Sequence, residues 1–253
     1  MTNFATWSGN FSTMPNPAQT TLEQLNQYLT RLSFAIDSHR GIIDKYIGEY
    51  LVAVFGNPTQ HPEHSQDALQ AANTLLHAQQ QFNQANQQTQ PTEITTAIHR
   101  GDVIAGYLGA QNRHNYAIVG GALDTVQQCF RCAQYYQAQT VLTEPILSTL
   151  SPQPTVRLLD YVAFAHHPEG LALYQLLPEH ARLRTQEHLS TYHHAHQLFL
   201  QQHWQACLAA FLTLQVADEN DAVIHTWLRH VRRYQAHPER FLEDYHDGVA
   251  LHA

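Results

Sequence analysis

GIIDKYIGEYLVAVFG, running from Gly41 to Gly56, is the stretch on which the reading of this chain turns. Ile42, Ile43, Tyr46 and Ile47 make one apolar run, and Leu51, Val52, Val54 and Phe55 make a second. β-Branched and aromatic residues fill both runs, which favours two short strands over a buried helical turn. Gly48 lies between them, where a hairpin needs a residue that tolerates positive φ, and Lys45 and Glu49 flank it.

A second ordered block, HRGDVIAGYLGAQNRHNYAIVGG, runs from His99 to Gly121. Together the two blocks resemble the catalytic domain of class III adenylate/guanylate cyclases. The hairpin is similar to that family's K-x-x-G-D-x-x-x-A-x-F-G segment through Lys45, Gly48, Ala53, Phe55 and Gly56, with Glu49 in place of a metal-binding Asp. The second block is similar to the family's H-x-G-x-V-x-x-G-x-x-G … Y-x-x-x-G segment. The resemblance covers roughly residues 4–177.

At 253 residues there is room for one sizeable domain and an extension. No run of about 18 apolar residues occurs, so no membrane span is expected. The first residues lack the basic-then-apolar layout of a signal peptide. Cys129, Cys132 and Cys207 do not make a disulfide framework, which points to a reducing cytoplasm. A formal charge of −8 argues against a nucleic-acid partner. Lys45 is the only lysine in the chain, and the resemblance puts it at the position that reads the purine.

Residues 1–20 are polar and show little periodicity. The family's first strand ends in F-x-D-x-x-G-F-T, and the resemblance sets Thr6 at its metal-binding Asp; no acidic residue precedes Glu23. Leu22, Leu25, Tyr28, Leu29, Leu32 and Ile36 repeat at three and four, which predicts a helix over 21–38. A second helix is expected from His64 to about Phe82, and residues 83–90 read as a solvated Gln/Asn-rich connector. Strands are expected at 93–98 and 103–108, paired around Gly101, and at 116–119. A helix opens at Gly120-Gly121, followed by a strand at 140–142 and a short helix at 144–150. A last hairpin joins 156–164 to 171–177 through Pro168-Glu169-Gly170.

This order predicts an α+β fold with helices on one face of a mainly antiparallel sheet, which the resemblance makes ferredoxin-like or cyclase-type. An all-α C-terminal extension follows, with helices at 181–203, 204–216 and 222–234. It is similar to the tetratricopeptide-like tail of many bacterial cyclases. One such repeat needs a core or a partner to pack on. The expected division is a cyclase-like domain over 1–178 and the extension over 179–253.

The resemblance implies three sets of catalytic groups, shared between two domains in a dimer. Two aspartates hold two Mg²⁺ or Mn²⁺ ions that activate the ribose hydroxyl and bind the triphosphate. Here they map to Thr6 and Glu49, leaving Glu49 as the one metal candidate; a neutral hydroxyl is a poor ligand for Mg²⁺. A Lys and a partner read the purine, and they map to Lys45 and Ala117, the latter without a polar side chain. An Asn and an Arg spaced N-x-x-x-R stabilise the transferring phosphorus, and they map to Asp124 and Gln128. Asp124 would repel phosphates and Gln128 brings no positive charge. The family's phosphate-binding Lys maps near Ala165, followed by His166 and His167.

Losses in all three sets predict a catalytically inactive cyclase-like domain. It would act as a cytoplasmic regulatory module, a homodimer or a heterodimer with an active cyclase. Lys45, Glu49, Ala117 and Asp124 are the candidate contacts to a purine nucleotide, and the helical tail is the candidate dock for signalling partners. The alternatives are a divergent active cyclase making cAMP or cGMP, and a scaffold that binds protein alone. Elsewhere, Cys129 and Cys132 within a predicted helix read as buried structural thiols. His193 and His196 read as part of a solvated His-rich face, and His61 and His64 as a helix-entry feature.

Overall fold

The computed structural model describes residues 4–47, 50–86, 91–110, 113–178, 181 and 185–251. The chain opens with α1 (Phe4–Ser8), α2 (Pro17–Asp37), β1 (Gly41–Ile47), β2 (Tyr50–Phe55), α3 (His64–Asn86) and β3 (Thr96–Ile98). Next come β4 (Ile104–Ala110), β5 (Arg113–Val119), α4 (Gly121–Tyr136), β6 (Thr140–Thr143), α5 (Glu144–Leu147), β7 (Val156–Phe164) and β8 (His167–Leu176). It closes with α6 (Gln186–Leu200), α7 (Trp204–Ala217), α8 (Ala222–Ala236), α9 (Glu239–Asp244), β9 (Tyr245–His246) and β10 (Val249–Ala250). This mixture of sheet and helices, with helices at the C-terminal end, is the expected fold class. The chain forms two compact units, residues 1–96 with 102–120, and residues 97–101 with 121–253.

In the first unit α2 and α3 pack on one another over Trp7, Phe11, Tyr28, Leu32, Leu75 and Phe82. The segment before α2 is helical, not the strand the resemblance implied. Trp7 and Phe11, four residues apart, meet edge to face at 5.0 Å, and burying both drives a turn of helix. The connector after α3 also differs from expectation. Asn83 lies within α3, and its amide bonds the N–H, hydroxyl and carbonyl of fully buried Thr92 at 2.8–2.9 Å. Gln79 donates to the same carbonyl. The unit holds two antiparallel hairpins, β1–β2 and β4–β5. The strand expected at 103–108 therefore pairs forward with β5, not back with 93–98.

In the second unit the sheet runs β3-β6-β8-β7-β10-β9. Its pairings are antiparallel from β6 through β8 to β7, and β10 then adds parallel to β7 at Ala250↔Val162. The last hairpin turns at Ala165-His166, with Phe164 paired to His167. Pro168, Glu169 and Gly170 lie inside β8, where proline is tolerated because it stands next to the strand's first residue. A bulge between Leu158 and Asp160 lets adjacent Leu159 and Asp160 both face inward, each fully buried. Tyr136 and Tyr245 donate to Asp160 Oδ2 at 2.5 and 2.6 Å.

The C-terminal helices share one core with this sheet. Phe199, Phe211 and Trp227 pack with Leu159, Val162 and Leu173. Arg157 on β7 is 1% exposed. Its Nε donates to Gln175 Oε1, and Nη1 and Nη2 donate to the two oxygens of Asp221, all at 2.7 Å. The same carboxylate caps α8 by accepting the N–H groups of Val223 and Ile224.

Asp221→Ala removes both the cap and the partner of a buried guanidinium. It is expected to lower the unfolding free energy by about 3–5 kcal/mol. Arg157→Met should cost less, because Asp221 keeps its two backbone donors and some solvent. Urea unfolding followed by tryptophan fluorescence measures both.

Candidate functional site

The first unit carries Thr6, Lys45 and Ala117 of the predicted site. Thr6 is exposed on α1. Lys45 lies on β1 beside a bulge that leaves Asp44 without a cross-strand partner. Lys45 Nζ is 3.0 Å from Asp44 Oδ2, an ion pair in which the lysine is 41% exposed and the aspartate nearly buried. Gly41 starts the strand because a Cβ there would stand 2.6 Å from the Phe55 ring. Ala117 is half-buried on β5, opposite Gly106. Tyr116 OH donates to Asn57 Oδ1 at 2.7 Å and fastens β5 to the loop after β2. Glu49 lies outside the described residues.

The second unit carries Asp124, Gln128, Ala165, His166 and His167. Asp124 is exposed in the first turn of α4, and Gln128 follows one turn later. The Gln128 side-chain oxygen is buried without a hydrogen-bond donor. His166, in the β7–β8 turn, lies over the start of α4; a Cβ on Gly121 would stand 3.1 Å from its ring. Its Nε2 is 3.3 Å from Asp124 Oδ2. Within the second unit this pair brings two of the predicted site positions together. His167 pairs with Glu169 at 3.5 Å. His99 Nδ1 meets Thr143 Oγ1 at 3.0 Å, and the His99 and His167 rings stand edge to face at 5.9 Å. The spacing of the sequence does not link His99 to His166 and His167; the turn at Ala165-His166, with Phe164 paired to His167, sets where the latter two stand.

Of the two positions that the resemblance gives to metal ligands, the one among the described residues is Thr6, which has no carboxylate. Thr6 offers a neutral hydroxyl, and Asp44 is taken by Lys45. No group of three or more His, Cys, Asp or Glu among the described residues could hold a metal.

The other candidates resolve into structural roles. Cys129 and Cys132 are fully buried on the inner face of α4, and burial pushes the Cys132 thiol up to about 12. His196 is 3% exposed, with Nε2 3.7 Å from Asp160 Oδ1, so it does not share a solvated face with His193 as the sequence suggested. His64 Nδ1 sits 2.7 Å from the His61 carbonyl at the entry to α3. Sequence reading missed Arg157 and Asp160; the signal was two charged residues inside the apolar strand VRLLDYVAF.

A profile described as "Adenylate and Guanylate cyclase catalytic domain" matches residues 2–154. An adenylate cyclase of Anabaena cylindrica is 30% identical over 161 residues, covering 60% of this chain and 31% of that protein. The terminal-differentiation specific adenylate cyclase of Dictyostelium discoideum is 22% identical over 206 residues, covering 79% of this chain and 10% of that protein. The chain thus spans a third or less of the length of these curated relatives. The crystal structure of the adenylyl cyclase CyaB from P. aeruginosa superposes with a TM-score of 0.56 at 20% identity, over 68% of this chain and 89% of that one. A bacterial light-regulated adenylyl cyclase gives 0.53 at 17% identity, over 66% and 48%. At these identities the likeness shows the fold. No described helix is long and apolar enough to cross a membrane.

Burial, together with neighbouring His167, lowers the His99 pKa from 6.5 to about 4. The folded chain then binds fewer protons at this site than the unfolded chain between about pH 4 and 6.5, so the site's contribution to stability rises with pH across that window. His99 is expected to stay neutral at pH 6 in an NMR titration; a midpoint near 6.5 would contradict its buried placement.

Proposed function

The chain belongs to the adenylate and guanylate cyclase catalytic domain family, and from that premise we propose that it is a member that does not cyclise nucleotides and acts as a regulatory module. The observation that carries this reading is the chemistry at the start of α4. Where family resemblance calls for a neutral Asn and a cationic Arg, the chain has Asp124, exposed and 3.3 Å from His166, and neutral Gln128. A carboxylate there opposes the charge that builds on a transferring phosphoryl group, and Gln128 adds nothing to offset it. Thr6 supports the same reading, since a helical, neutral residue replaces a carboxylate ligand.

In this reading residues 1–178 are the cyclase-like part and residues 179–253 its extension. The module works as a homodimer or beside a cyclase-like partner, within the cytoplasm. Exposed Ile104, Tyr107 and Leu108, at 73%, 78% and 61%, support a covering chain over the β4–β5 hairpin. Lys45 is the residue that would hold a purine.

Incubation with ATP or GTP and Mg²⁺ or Mn²⁺ should yield no cyclic product above a protein-free blank by chromatography. Cyclic product would overturn the reading and make Glu49 a working ligand. In parallel calorimetry, Lys45→Ala should weaken any ATP binding by about tenfold or more, the scale of a lost charge-assisted hydrogen bond.

A further inference from the structure

Arg229, Arg232 and Arg233 fall within little more than one turn of α8, a helix without an acidic residue. At about 100° per residue they share an arc of roughly 100°, and all three are exposed. Arg233 has a counter-charge, with Nη2 3.0 Å from Asp244 Oδ2, and it complements the carbonyl end of the helix. Those two roles do not extend to its neighbours. Arg229 donates one N–H to Thr226 Oγ1 at 3.0 Å, and neither Arg229 nor Arg232 enters an ion pair among the described residues.

Helix α4 packs beside this face and adds Tyr135, 48% exposed. Its hydroxyl lies 2.8 Å from His230 Nε2, and the charges of Arg233 and Arg229 act on it, against the burial that raises its pKa. Arg131 precedes Tyr135 by one turn and is exposed as well. A half-exposed phenol thus stands beside Arg229 and Arg233, next to Arg232 on the same arc of α8, on a chain whose net charge is −8. A guanidinium is a planar fork suited to carboxylates, and Arg with Tyr is the composition that concentrates binding energy in protein interfaces.

We propose that the face of α8 bearing Arg229 and Arg232, flanked by Arg233 and Tyr135, docks a short acidic peptide segment of a partner protein. The confined size of the patch favours a peptide over nucleic acid. A polynucleotide spreads its charge over about 6–10 phosphate contacts and would run onto the acidic remainder of the surface.

The test uses the full chain and a short, fluorescently labelled polyglutamate peptide, read by anisotropy at low ionic strength. Saturable binding that weakens as salt rises is expected. The double variant Arg229→Gln with Arg232→Gln should bind about tenfold more weakly, while Arg31→Gln, at an exposed arginine on α2 in the first unit, binds as the parent does. Circular dichroism checks that each variant folds. Absence of saturable binding by the parent chain would overturn the proposal. So would equal binding by the double variant, or tighter binding of a single-stranded oligonucleotide of matched charge.

Discussion

The second unit depends on one carboxylate that answers two demands at once. Asp221 supplies the acceptor that the first N–H groups of α8 lack, and it neutralises Arg157, a guanidinium that β7 carries into the core. A buried cation costs several kcal/mol unless its donors are met and its charge is matched. Gln175, directly across the ladder from Arg157, takes the remaining Nε–H, and the guanidinium lies 5.1 Å from the Tyr192 ring on α6. A strand, its neighbour and two helices are thereby placed by one side chain. The aromatic packing then follows: Trp227 donates to Tyr192 OH at 2.9 Å and stacks on Phe211 at 5.7 Å.

At the start of α4 the sign of the charge matters more than its strength. Asp124 and His166 are both at least half exposed, so their contact contributes little to folding. Its effect is on what could bind there. A helix N-terminus attracts anions, and here the chain supplies an anion of its own.

Much of this was legible in the sequence. The apolar runs around Gly48 gave β1 and β2, the three–four repeat gave α2, and the glycine spacing after His99 marked the family. The misreadings share a cause, which is that long-range packing overrode local signals. Pro168-Glu169-Gly170 has strong turn composition, yet pairing of Phe164 with His167 moves the turn to Ala165-His166. Residues 4–11 show little periodicity and the resemblance sets a strand end there, yet Trp7 and Phe11 have a core to enter as helix. His196 looked like one more solvated histidine, yet its ring packs edge-on against Trp227 at 5.1 Å and its Nε2 stands 3.7 Å from inward-turned Asp160. Spacing alone could not reveal that the carboxylate of residue 160 faces two tyrosines from distant elements.

The sheet takes one of its strands from far along the chain. Tyr245 and β10 close over Asp160 and Val162, about 85 residues after β7 ends. At about 5–20 residues per second, a ribosome needs roughly 4–17 s to make that stretch. During that interval the nascent β7–β8 hairpin has no partner along its β7 edge, and the Asp160 carboxylate lacks its Tyr245 donor. The hairpin's apolar side chains are then open to whatever chaperone or neighbouring chain meets them first. The same topology makes the second unit finish as a whole, because its earliest strands are not complete until its latest residues arrive.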